Sequence, residues 1–121
     1  MLIESNVIAH LSRHMTGCLA CAEVPEDYPA DGALVVVSRL GGGNTNHLRT
    51  ARLAIQTYGA TLLDAATRCE AAIAAMQALP AEDPCVTAVR LDTSYNWTDE
   101  TTKRYRYQAV LYVTYYDWED D

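Results

Sequence analysis

Lysine is almost missing from this chain. Eight of its nine basic residues are arginine, and Lys103 is the exception. Against 16 acidic residues they leave a formal net charge of −7. Neutralising phosphate takes a surplus of Lys and Arg, so this balance argues against sequence-independent nucleic-acid binding and against docking on anionic lipid. Long apolar runs are missing too. None approaches the roughly 20 residues that span a bilayer, so no membrane partner is expected. Met1-Leu-Ile-Glu-Ser-Asn6 has neither the basic start nor the apolar core of a signal peptide, and the expectation is a protein that folds in a cytoplasm. Catalytic signatures are also lacking. There is no nucleophile-elbow serine, no acid–base pair at helix spacing and no cofactor loop, so the chain reads as a non-enzyme that needs no cofactor. No internal repeat or linker divides its 121 residues, which make one domain with a real core.

The organising stretch runs from Arg49 to Leu79. Over Arg49–Tyr58, Ala51, Leu53 and Ile55 fall on one face and Arg52, Gln56 and Tyr58 on the other, the period of a half-buried strand. Past Gly59 the period changes. Leu62, Leu63, Ala66, Cys69, Ile73, Met76 and Leu79 form a stripe on a helix of about five turns.

Other segments attach to this pair. Leu2–Met15 reads as a helix, with Ile3, Val7, Leu11 and Met15 in steps of four and Gly17 as its C-terminal cap. Cys18–Val24 alternates weakly, as an edge strand would. Residues 25–32 are a loop by composition. Ala33–Leu40 is apolar on both faces and predicts a central strand. Gly41-Gly-Gly-Asn-Thr-Asn46 reads as a flexible connection, and Pro80–Pro84 as a stop and turn. Cys85–Leu91 is a strand, Asp92–Thr102 a polar, turn-rich joiner, and Arg104–Tyr116 a long aromatic strand. Asp117–Asp121 reads as an acidic, frayed tail. The order α-β-β-β-α-β-β predicts an α+β fold: a single mixed, mainly antiparallel sheet of about five strands, with two helices on one face.

Few residues invite a chemical role. Cys18-Leu-Ala-Cys21 could hold zinc with Cys69 and Cys85, or with His10 and His14 just upstream. A Leu-Ala spacer in a strand suits packed, inert thiols better, and no helix N-terminus follows to activate them. His10 and His14 lie one turn apart and can share a ligand, although exposed helix histidines are common; His47 has no partner in sequence. The glycine run lacks the Gly-Lys-Ser/Thr ending of a phosphate loop. The second face of the last strand carries Arg104, Arg106 and Tyr112, residue types that dominate protein interfaces.

The Val35-Val-Val-Ser-Arg-Leu-Gly-Gly-Gly43 segment, the Arg52–Gly59 strand, the alanine-rich helix Leu62–Leu79 and the strand Arg104–Val113 together resemble the tail terminator proteins of long, non-contractile-tailed phages and prophages. The likeness extends from the first helix to Tyr116. It implies a homo-oligomeric ring, usually of six subunits, on the head-proximal end of the tail tube. Such a ring stops tube polymerisation and offers a surface to the head–tail connector, and DNA passes through it without specific binding. The corresponding location is the virion tail, after assembly in the host cytoplasm. Interface candidates are Arg39, Gly41, Gly42, Gly43, Asn44, Asn46, Arg104, Arg106 and Tyr112. A head-completion (neck) component and a small zinc-binding regulatory module built on Cys18 and Cys21 are the alternatives. The Cys18–Cys21 pair lies outside the pattern expected of the terminator family.

Overall fold

A computed structural model describes residues 1–29 and 32–117. The elements are α1 (Ile3–His14), β1 (Leu19–Cys21), β2 (Leu34–Thr45), β3 (Leu48–Gly59), α2 (Leu62–Gln77), α3 (Leu79–Glu82), β4 (Val86–Asn96) and β5 (Tyr105–Tyr116). The strands form one sheet in the order β1-β2-β3-β5-β4. Only β1 runs parallel to its neighbour; β2–β3, β3–β5 and β5–β4 are antiparallel. The α+β, mainly antiparallel expectation therefore holds, with a third helix of one turn added. That turn occupies the Pro80–Pro84 stop: Pro80 sits in its first turn, where a missing N–H costs nothing.

The helices cover one face of the sheet. Ile3, Val7, Leu11 and Met15 of the first helical segment and Ala65, Cys69, Ala72, Ile73 and Met76 of α2 are buried. They meet Val35 and Val37, Ala51, Leu53 and Ile55, and Ala109, Leu111, Val113 and Tyr115, the inward set of three successive strands. Leu62 and Leu63 depart from the expected stripe; Leu63 is 76% exposed. They occupy the first turn of α2, capped by Thr61, whose hydroxyl accepts the Asp64 N–H at 3.1 Å. The stripe is set instead by the small residues that let α2 lie close to β3. Gly59 allows that approach, because a Cβ there would stand 2.7 Å from the Ala65 nitrogen.

Two segments read as connectors are strand. β2 continues through Gly41–Gly43 to Thr45, pairing Gly41 with Arg52, Gly42 with Ala51 and Gly43 with Thr50. The connection is only Asn46-His47, both at positive φ (49° and 67°), as a tight primed hairpin turn requires. Gly42 is dictated by contact rather than by flexibility, since a Cβ on it would come within 2.2 Å of the Thr50 carbonyl oxygen. β4 likewise extends to Asn96, well into the polar joiner. Ala33–Leu40 is flanked on both sides only over Leu34–Val36, and the middle of the sheet is β3.

Asp117, placed by sequence at the start of a frayed tail, is 2% exposed. Its N–H donates to the His47 carbonyl at 2.9 Å, and its carboxylate lies 3.9 Å from the Arg49 guanidinium. Residues 118–121 of that expected tail lie outside the described residues.

Candidate functional site

The face of the sheet opposite the helices follows from register. One line across it joins Gly41, Arg52, Tyr112 and Arg90 on β2, β3, β5 and β4. The Arg90 guanidinium stacks over the Tyr112 ring at 4.5 Å, and Arg52 reaches Asp92 at 3.9 Å. A second line joins Val36, Gln56, Gln108 and Tyr95. Along it, hydrogen bonds all run in one sense. Arg106 donates to the Tyr58 hydroxyl at 3.5 Å, and Tyr58 donates to Gln56 Oε1 at 3.3 Å. The Gln56 amide donates to Gln108 Oε1 at 3.1 Å, and the Gln108 amide donates to the Tyr95 hydroxyl.

This face is polar in composition yet closed by its own side chains. Ala54 and Val110, paired between these two lines, are only 1% and 2% exposed. Arg106 lies 4.2 Å above the Trp97 ring and bonds the Trp97 carbonyl at 2.6 Å. Arg104 bonds the Tyr28 carbonyl at 3.2 Å and faces the Tyr58 ring. A guanidinium over an aromatic ring is attracted to its face while the charge stays near water.

The interface candidates fall in two groups. Gly41, Gly42, Gly43, Asn44 and Asn46 lie on the outer arm of β2 and its turn, and register puts Gly41 in line with Tyr112. Arg39 points to the helix side, within 3.8 Å of Glu4. Arg106 lies six residues along β5 from Tyr112, roughly 20 Å at strand rise, so Arg104 and Arg106 are not part of the glycine arm. Sequence reading missed Arg90, Asp92, Tyr95 and Trp97 as members of this face.

The sheet also has two unlike borders. Beyond Val36, no strand among the described residues pairs with the outer side of β2, which continues to Thr45. On the other side β4 is the border for all 11 of its residues. The Trp97 N–H bonds the Arg106 carbonyl at 2.9 Å; by antiparallel alternation, the N–H groups of Ser94 and Asn96 therefore point away from β5.

The thiols are not gathered. All four cysteines are free. Cys18 and Cys21 donate to the Met15 and Val35 carbonyls at 3.7 and 3.8 Å. Burial pushes the thiols of Cys18, Cys21 and Cys69 up, the opposite of an activated thiolate. Among the described residues, the cluster of metal-ligand type is His10, His14 and Glu82, with neither Cys18 nor Cys21 in it. His10, expected as an exposed helix histidine, is fully buried.

No protein-family model matches this chain, and no curated protein matches it.

Proposed function

We propose that this chain is a structural assembly protein of a long-tailed phage, a tail terminator rather than an enzyme. Its subunits join head to tail into a ring, expected to be of six. The ring caps the tail tube at its head-proximal end, halts polymerisation and presents a surface to the head–tail connector. The work is done in the virion, after assembly in the host cytoplasm.

The observation that carries this reading is that one sheet has two unlike borders, with no strand beyond either among the described residues. A ring needs a heterologous contact, in which one patch of a subunit meets a different patch of the next. The outer side of β4 and the outer arm of β2 are such patches, at opposite ends of the strand order. Each is extended backbone, and backbone edges recognise each other through main-chain hydrogen bonds. The net charge of −7 suits a lumen through which DNA slides without being held.

The test is mass in solution by light scattering over a concentration series, alone and with tubes of the cognate tail protein. A discrete ring-sized species, or capping that arrests tube growth, supports the reading. A chain that stays monomeric at high concentration and neither binds nor caps tubes refutes it. Binding to the portal side alone would make it a neck component instead.

A further inference from the structure

We propose that His10, His14 and Glu82 form a binding site for a divalent transition metal of the zinc class, joining α1 to the α2–α3 corner. A ligand atom from each of the three residues lies within 4.8 Å of the others. A tetrahedral ion with bonds of about 2.0–2.1 Å holds its ligands about 3.3 Å apart, so only side-chain torsions need to adjust. Two imidazoles and a carboxylate, with a fourth position left for water, are a donor set that zinc accepts.

The feature that sets this cluster apart from a surface ion pair is His10. It is fully buried, and one of its ring nitrogens, Nε2, lies 2.6 Å from the Ala75 carbonyl oxygen. A carbonyl only accepts, so Nε2 carries the proton. Nδ1 of the neutral ring then holds the lone pair, and Nδ1 is buried without a hydrogen-bond partner. A metal-binding histidine is ordinarily arranged this way, with the second nitrogen donating to a backbone carbonyl that fixes tautomer and ring orientation. A buried polar atom with no partner is costly, and a metal ion would satisfy it.

His14 and Glu82 complete the set from the solvent side. Their rings and carboxylate are already convergent: His14 Nε2 stands 2.7 and 3.0 Å from the two Glu82 oxygens, and the His10 and His14 rings are 4.3 Å apart. His14 and Glu82 are both exposed, so an ion can reach them from solvent. Asn6 bonds Asp83 at 3.1 Å, so positions 6, 10 and 14 of the same helical face all engage the α2–α3 corner. A bound ion would reinforce that docking.

The experiment uses tag-free protein stripped with chelator and titrated calorimetrically with zinc chloride, with cobalt(II) absorption as a second readout. The expected result is one zinc per chain, a raised Tm and a cobalt spectrum without a thiolate charge-transfer band. H14A and E82Q, both at exposed positions, should each weaken zinc binding by at least about 10- to 100-fold, the loss that even outer-shell changes cause. A C18S/C21S variant should bind as the parent does. Failure of the parent to take up stoichiometric zinc overturns the proposal. So does zinc affinity that survives both H14A and E82Q, or a thiolate band that disappears in C18S/C21S. None of these outcomes bears on ring formation, which is read separately by mass.

Discussion

Proline at Ser94 should separate subunit association from folding. The Ser94 N–H points away from β5, and β4 is the border of the sheet, so Ser94→Pro removes no bond of the β4–β5 ladder. Thr93, before it, is already extended, as a residue preceding proline must be. The fold should therefore change in stability by no more than about 1 kcal/mol. Val110→Pro is the contrast. Val110 lies on β5, paired on both sides, and is 2% exposed. Proline there deletes a ladder bond whichever way the N–H points, and should cost about 3 kcal/mol or more. If the proposed ring forms through β4, Ser94→Pro removes one outward donor and leaves an acceptor on the neighbouring subunit without a partner. At about 1 kcal/mol for the lost bond and about 1–3 for the orphaned group, association should weaken by about 2–4 kcal/mol. That is roughly 30- to 700-fold in Kd. Urea unfolding and light scattering on the same samples give both quantities. A Ser94→Pro variant with unchanged urea midpoint and unchanged ring mass would show that β4 is not an assembly edge, and the reasoning from the sheet borders would fail.

The glycine arm gives a sharper local test: Gly42→Ala should lose about 1–3 kcal/mol by urea melt, because its Cβ meets the Thr50 carbonyl at 2.2 Å, whereas Gly41→Ala and Gly43→Ala enter open space and should cost less than about 1 kcal/mol. Thr61→Ala should cost about 0.5–2 kcal/mol by the same melt, through loss of the cap on the Asp64 N–H. Burial raises the Cys18, Cys21 and Cys69 pKa values, so their stabilising effect is present below the unfolded thiol pKa and lost as pH climbs through the folded values; Tm should fall on the alkaline side, and a C18S/C21S variant should show a smaller fall. Arg106→Ala should lower stability while leaving ring mass unchanged, since its guanidinium is engaged by Trp97 and Tyr58 within the subunit, and light scattering beside a urea melt decides it.

The helix-covered side of the sheet was legible because nothing interrupts its period. Ala51, Leu53 and Ile55 alternate without a break and are buried as read; Ala109, Leu111, Val113 and Tyr115 alternate likewise and are buried. The other side was hidden by bulges. Arg90 and Tyr95 are an odd number of residues apart, so strict alternation sends them to opposite faces. The register shift between Leu91 and Thr93 puts both on the same one, opposite Tyr112 and Gln108. A second shift between Arg39 and Gly41 separates two residues that alternation would have kept together. The glycine run misled for a different reason. Composition reports conformational freedom but not the neighbour that makes glycine necessary, here the Thr50 carbonyl against Gly42. His10 falls at the helical spacing of the buried set Ile3, Val7 and Leu11, and its polarity concealed a placement that periodicity already implied.

These details narrow where a neighbouring subunit of the proposed ring would attach. Arg and Tyr make good hot spots when they are free to leave water for a partner's pocket. On this sheet most are already committed. Arg90 lies on Tyr112, Arg106 on Trp97, and the Tyr58–Gln56–Gln108–Tyr95 relay closes the middle of the face. A partner docking flat on that face would have to break contacts before making its own, which is a poor basis for a ring. Among the described residues, no strand pairs with the outer side of β4 or with the outer arm of β2. Because the arginines and aromatics of this face are bound to one another, backbone at the two borders is the complementary surface that remains, so we infer that assembly runs through the edges, with the face serving to keep the sheet stiff between them.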